Sequence, residues 1–212
     1  PGVSASGAPE GTGLRMEPGD LIIVQMHYNT NSANPVADQS SIGIRVADSV
    51  EREALVLPFT NLGWVTGIDL LGGAMLIPEQ ESAVSHATFE RGDSPYLDYV
   101  RDELGLDSES LLQVHQVGHH MHLLGKAGRQ EVRHSDGTTT CLVDIPDWYF
   151  SWQGGFALAE PITLQADDEI YLSCTWDNSA ANQPEVDGSQ QASRDVVWGE
   201  GTTDEMCLST LY

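Results

Sequence analysis

The segment Gln116-Val117-Gly118-His119-His120-Met121-His122-Leu123-Leu124-Gly125-Lys126 decides how the chain is read, together with the distant Trp198-Gly199-Glu200-Gly201-Thr202-Thr203-Asp204-Glu205-Met206-Cys207. Residues 111–124 read as one long strand, in which side chains two apart share a face. The imidazoles of His120 and His122 can then reach one ion side by side, while His119 and Met121 point the other way. Two imidazoles and the Met206 thioether suit copper cycling between Cu(II) and Cu(I), because soft sulfur favours the reduced ion and imidazole tolerates both. The competing readings are a structural His-x-His pair and a Met206 that only fills the core. A zinc site using His120, His122 and either His115 or His119 conflicts with the strand facing and leaves Met206 without a role.

The cysteines are Cys141, Cys174 and Cys207. Cys174 lies in the strand-like run Ile170–Trp176, and Cys207 follows Met206, so a Cys174–Cys207 bridge would hold the methionine segment against a neighbouring strand. That bridge and an exported, oxidising location are expected, with Cys141 left over; the alternative is three buried free thiols.

With 212 residues, 40% of them hydrophobic, the chain can fill a sizeable core. Nine Lys and Arg against thirty-two Asp and Glu give a net charge of −23, which argues against nucleic acid or an anionic membrane surface as partner. No apolar run reaches the ~18 residues of a membrane-spanning helix, and residues 1–12 lack the basic and apolar regions of a signal peptide. The chain starts at Pro1 without a Met and reads as processed or as part of something longer.

Along the chain, Leu14–Met16 gives a short strand, and Leu21–Asn29 is an apolar, β-branched run that predicts a strand buried on both faces, with His27 as its titratable group. Taken alone, His27 fits a hydrogen-bonded core residue better than a ligand. Residues 41–47 alternate as a half-exposed strand, residues 53–58 form another, and residues 61–78 suggest short or bulged strands. Residues 82–90 predict a strand with His86. Ser94-Pro95 then opens the one clear helix, with Tyr96, Leu97, Val100 and Leu104 on a face and Gly105 closing it. Further strands are predicted over 126–133, 139–145, 162–164, 169–176 and about 205–212, with a hairpin at Ser135-Asp136-Gly137, an aromatic loop at 146–160 and a polar loop at 177–195. Many short strands and one inserted short helix predict an all-β, jelly-roll-type β-sandwich.

His120-Met121-His122-Leu123-Leu124-Gly125-Lys126, with Thr203-Asp204-Glu205-Met206-Cys207 downstream, resembles the type II copper, ascorbate-dependent monooxygenases, the group of peptidylglycine α-hydroxylating and dopamine β-monooxygenases. Gln25-Met26-His27-Tyr28 resembles a third motif of that family, and the likeness runs from about Gly11 to Tyr212. It implies a catalytic copper held by His120, His122 and Met206, a small-molecule substrate hydroxylated with O2, and ascorbate or a similar reductant. It also implies a second, electron-transfer copper, with one ligand at His27 and two from an adjacent His-His pair in a preceding domain. The only adjacent histidines here are His119-His120. Residues 1–30 therefore read as the end of a truncated N-terminal β-sandwich and residues 31–212 as the C-terminal copper domain, with the missing domain or another chain supplying the second site. Where the peptide-amidating members have an Arg that grips the substrate carboxylate this chain has Gly118, and Leu208 and Thr210 replace an Asn and a Tyr, which argues against a glycine-extended peptide. The alternative function is a non-catalytic copper-binding module that retains the mononuclear site.

Overall fold

The computed structural model describes residues 7–24, 26, 37, 39–186 and 188–212. It divides into two compact units, one of Ala8–Ala54 and the other of Pro1–Gly7 with Leu55–Tyr212. In the smaller unit, strand β1 (Thr12–Leu14) pairs in parallel with β2 (Arg52–Ala54). The apolar run expected to be a doubly buried strand is different: Leu21–Val24 and Met26 form no strand and are exposed, as are residues 41–47. An unbroken apolar run becomes a strand only where a neighbour completes its ladder and both faces are covered, and among the described residues nothing pairs with it. His27 lies outside the described residues.

The larger unit is an all-β sandwich. Its strands are β3 (Leu57–Phe59), β4 (Val84–Arg91), β5 (Leu112–His120), β6 (Gly125–Arg133), β7 (Thr139–Ile145), β8 (Gly155–Leu164) and β9 (Glu169–Trp176). A two-residue hairpin, β10 (Glu185–Val186) with β11 (Ser189–Gln190), precedes the last strand β12 (Leu208–Leu211). One antiparallel sheet has the order β3-β12-β5-β8 and the other β4-β9-β6-β7. Strand β9 alternates strictly, burying Ile170, Leu172, Cys174 and Trp176 against Val117, Leu211 and Val132 in one core. A disulfide between Cys174 and Cys207, with Cα atoms 5.8 Å apart, links the two sheets, and Cys141 is a free, exposed thiol.

The expected inserted helix is α2 (Pro95–Glu103), following a five-residue α1 (Leu62–Thr66). Ser94 caps α2 by accepting from the Leu97 N–H, Pro95 occupies its first turn, and Leu97 and Val100 enter the core. Residues 61–78, read as short strands, instead contain α1 and a 3-10 turn at Asp69–Leu71, leaving only an Ile77–Val196 bridge. Asn61 starts that helix by accepting from the Gly63 N–H, and Gly67 ends it in the left-handed conformation. The aromatic loop is shorter than predicted, because β8 runs unbroken from Gly155. No helix among the described residues is long and apolar enough to cross a membrane.

Replacing both Cys174 and Cys207 with Ala should cost ~3–4 kcal/mol in urea unfolding, given the loop that a 33-residue separation closes. Dithiothreitol should lower the wild-type midpoint to that of the variant and leave the variant unmoved; an unchanged midpoint for the double variant would contradict a stabilising bridge.

Candidate functional site

Strand β5 carries a register irregularity between Val114 and Gln116, which resets its alternation. Beyond it Val117, His119 and Met121 face the core, while Gly118 and His120 face outward. His119 is 4% exposed and its ring lies over Gly128, where a Cβ would come within 2.0 Å of Nε2. The Gln130 amide donates to His119 Nδ1 at 3.1 Å and to the Gly118 carbonyl at 2.7 Å, and its oxygen accepts from the Ser209 hydroxyl at 2.7 Å. With Nδ1 accepting, the His119 proton sits on Nε2, 3.5 Å from the Cys174 sulfur. Burial, and then the neighbouring His120, push its pKa down to about 4, so His119 is a neutral packing residue between the sheets.

The strand ends at His120, four residues short of the strand expected over residues 111–124, and His122 is held by the turn that follows. The two rings nevertheless converge, with centroids 5.0 Å apart at 82°. Each is oriented by an acceptor. His120 Nδ1 donates to Gln153 Oε1, and that side chain is itself fixed by donating from Nε2 to the Phe150 carbonyl at 2.8 Å. His122 Nδ1 donates to the Asp204 carbonyl at 3.0 Å, and its ring meets Phe150 edge-on. Since both partners can only accept, both imidazoles carry their proton on Nδ1 and present Nε2 as a lone pair. Burial lowers the pKa of His122, opposed by the Asp204 carbonyl.

The segment before β12 is fixed by Glu205, which is fully buried. Its carboxylate accepts from the His122 and Leu124 backbone N–H groups at 2.8 and 2.6 Å and from the Trp176 indole at 2.8 Å. Burial dominates these three donors and raises the Glu205 pKa to about 7. Asp204 is half-buried and pairs with Arg194 at 3.0 Å, whereas Glu205 is a core residue. Met206 follows it, buried yet outside the main hydrophobic cluster. The β12–β5 ladder ends with Leu208 opposite His120, so Met206 and His122 each lie two residues beyond its last pair.

Beside His120 lies a cleft of about 290 Å3 lined by Gly118, Gln153, Gly155, Leu208 and Thr210. Gln153 and Glu205 are the site residues that spacing missed. The only hint for Glu205 was Trp176, whose buried indole N–H needs an acceptor; Gln153 carried no signal in the aromatic loop. Among the described residues no three His, Cys, Asp or Glu side chains gather as a metal site, so the three-histidine zinc set is not assembled, and His115 lies in β5 near Tyr212. No protein-family model matches the chain, and no curated protein matches it either.

His119 makes a prediction for the metal-free protein. Its pKa falls from 6.5 to about 4 on folding, so between those values the unfolded chain binds the extra proton. The stability that His119 contributes is complete above pH 6.5 and lost as the pH falls towards 4, by ~3 kcal/mol in all. Glu205 acts in the opposite sense, its contribution being present below about 4.5 and lost as the pH rises through about 7. Unfolding free energies of wild type and His119→Gln, compared between pH 4 and 7, cancel the Glu205 effect. The gap between them should widen in favour of wild type as the pH rises; parallel curves would contradict the burial of a neutral His119.

Proposed function

We propose that this chain is the copper-binding catalytic part of a monooxygenase that hydroxylates a substrate C–H bond. The overall balance is one C–H bond, O2, two electrons and two protons giving C–OH and water, with ascorbate or a similar reductant supplying the electrons. The carrying observation is the shared orientation: His120 and His122 each set Nδ1 against an accepting oxygen, Gln153 Oε1 and the Asp204 carbonyl, with rings 5.0 Å apart, and a proton placed on Nδ1 by those acceptors leaves Nε2 as the lone pair. Support also comes from the likeness of the two motifs to the ascorbate-dependent copper monooxygenases.

His120 Nε2, His122 Nε2 and the Met206 sulfur are the ligand set, and its chemistry fits copper: neutral imidazoles accept either oxidation state and a thioether favours Cu(I). Bound copper supplies one-electron chemistry and an open position for dioxygen. The chain's own residues do the positioning. Gln153 and the Asp204 carbonyl set the ring planes, as acceptors behind metal-binding histidines commonly do. Glu205 and the disulfide on Cys207 fix the backbone on both sides of Met206. Phe150 and Trp148 shield the His122 side from water, Trp148 donating to the His122 carbonyl at 3.1 Å. The cleft beside His120 receives the substrate. Because its bridge forms in an oxidising compartment, the protein is exported.

Competition with a chromophoric Cu(I) chelator should give one Cu(I) per chain. Binding should be lost in His120→Ala and His122→Ala, and weakened in Met206→Ala for Cu(I) with little change for Cu(II). Gln153→Ala should weaken copper binding by about 10-fold or more. Equal Cu(I) affinity in Met206→Ala would reject the thioether ligand. Stoichiometric copper without ascorbate-dependent O2 consumption in the presence of an oxidisable neutral substrate would favour a non-catalytic copper module.

A further inference from the structure

The cleft beside His120 has a specific construction. On the outward face of the β12-β5-β8 sheet, Thr210, Gly118 and Gly155 are neighbours across three strands, because Gly118 pairs with both Thr210 and Gly155. Two glycines in one row remove the side chains that would fill the surface, leaving a groove floored by backbone. The Thr210 side chain leans into the space a Cβ on Gly118 would take, its Oγ1 only 2.3 Å from that position. Leu208 and Gln153 form the walls at the end next to His120. Gln153 has both ends of its amide engaged, by His120 and by the Phe150 carbonyl. Thr210 Oγ1 makes no hydrogen bond among the described residues, so it is the polar group on the floor open to a ligand.

Among the described residues no Asp, Glu, Lys or Arg lines this groove, in a chain carrying a net −23; beside Thr210 its walls are three glycines, Leu208, the Gln153 amide and the imidazoles of His119 and His120. A ligand that left water for the metal-free groove would find no acidic or basic side chain to pair with a charge, and an unpaired charge is costly to desolvate. From this geometry we infer that the groove takes a small, electrically neutral molecule with an apolar body and a single hydrogen-bonding group. Its polar group meets Thr210 and its apolar body lies over Gly118 and Gly155, towards His120. The volume, about 290 Å3, is at the lower end of small-molecule sites. That the occupant is a substrate rests on the copper reading; its chemical class rests on the groove alone.

The test uses three probes of one shape and different charge: 2-phenylethanol, phenylacetate and 2-phenylethylammonium. Each is titrated into the full chain in physiological salt, where the Debye length is ~8 Å and the general negative field is screened. Backbone amide shifts of Gly118 and Gly155 are followed by NMR, without metal and again with diamagnetic Cu(I). The alcohol should shift both amides saturably and bind at least about tenfold more tightly than either ion, a difference of ~1.4 kcal/mol. Thr210→Val should weaken the alcohol several-fold. Gly155→Val should abolish its binding without unfolding the protein, since a Cβ there has its nearest neighbour 4.0 Å away and valine suits a strand. Equal or tighter binding of either ion, no saturable shift with the alcohol, or unchanged binding in Gly155→Val would each overturn the inference. Failure of the copper reading would show only as absent Cu(I) binding, with the metal-free titration intact.

Discussion

Glu205 is a carboxylate with no access to water, and it joins three segments that are distant in sequence. Its oxygens accept from the backbone of the His122 turn, again at Leu124, and from the Trp176 indole at the end of β9. Removing a carboxylate from water is costly enough to dominate the three donors that converge on Glu205, and those donors reduce the cost only in one geometry. The turn carrying His122, the segment carrying Met206 and the end of the second sheet therefore adopt that geometry together. Two residues along, the Cys174–Cys207 disulfide repeats the connection covalently.

This constraint explains how a site can form where regular structure stops. Strand β5 ends at His120 and β12 begins at Leu208, so neither His122 nor Met206 is held by a sheet ladder. Polar anchoring takes its place, and the same turn has its His122 carbonyl bound by Trp148. On the outer side, Gln153 aims His120 from the loop before β8, while two glycines and Thr210 open a groove next to it. The inner histidine, His119, shares none of this, because Gly128 and Gln130 accommodate it as a neutral ring within the core.

Much of the sandwich was legible in sequence because strict alternation is a strong signal. The prediction for 169–176 matches β9 and that for 139–145 matches β7, and Ser94-Pro95 with Gly105 marked α2. Alternation also separated His119 and Met121 from His120. Pairing that depends on partners was not legible: the apolar run from Leu21 looks like a buried strand in isolation, but its described residues are exposed. Residues 61–78 were misread because Asn61 and Gly67 act as helix caps only in a particular backbone conformation, whereas their glycine-rich surroundings suggest bulges. At the site, the histidines and Met206 were visible as ligand types at suggestive positions. Glu205 and Gln153 were not, since their roles depend on contacts far apart in the chain. A carboxylate beside a strand reads as solvated unless its buried donors are known.

The central claim is that two imidazoles and one anchored thioether meet at a single ion. Copper K-edge X-ray absorption of the Cu(I)-loaded chain tests it most directly, with the same measurement on Met206→Ala. The account predicts two nitrogen scatterers of imidazole type and one sulfur, the sulfur disappearing in the variant while the nitrogens stay. A first coordination shell without sulfur in the wild type, or a sulfur that survives in Met206→Ala, would contradict it.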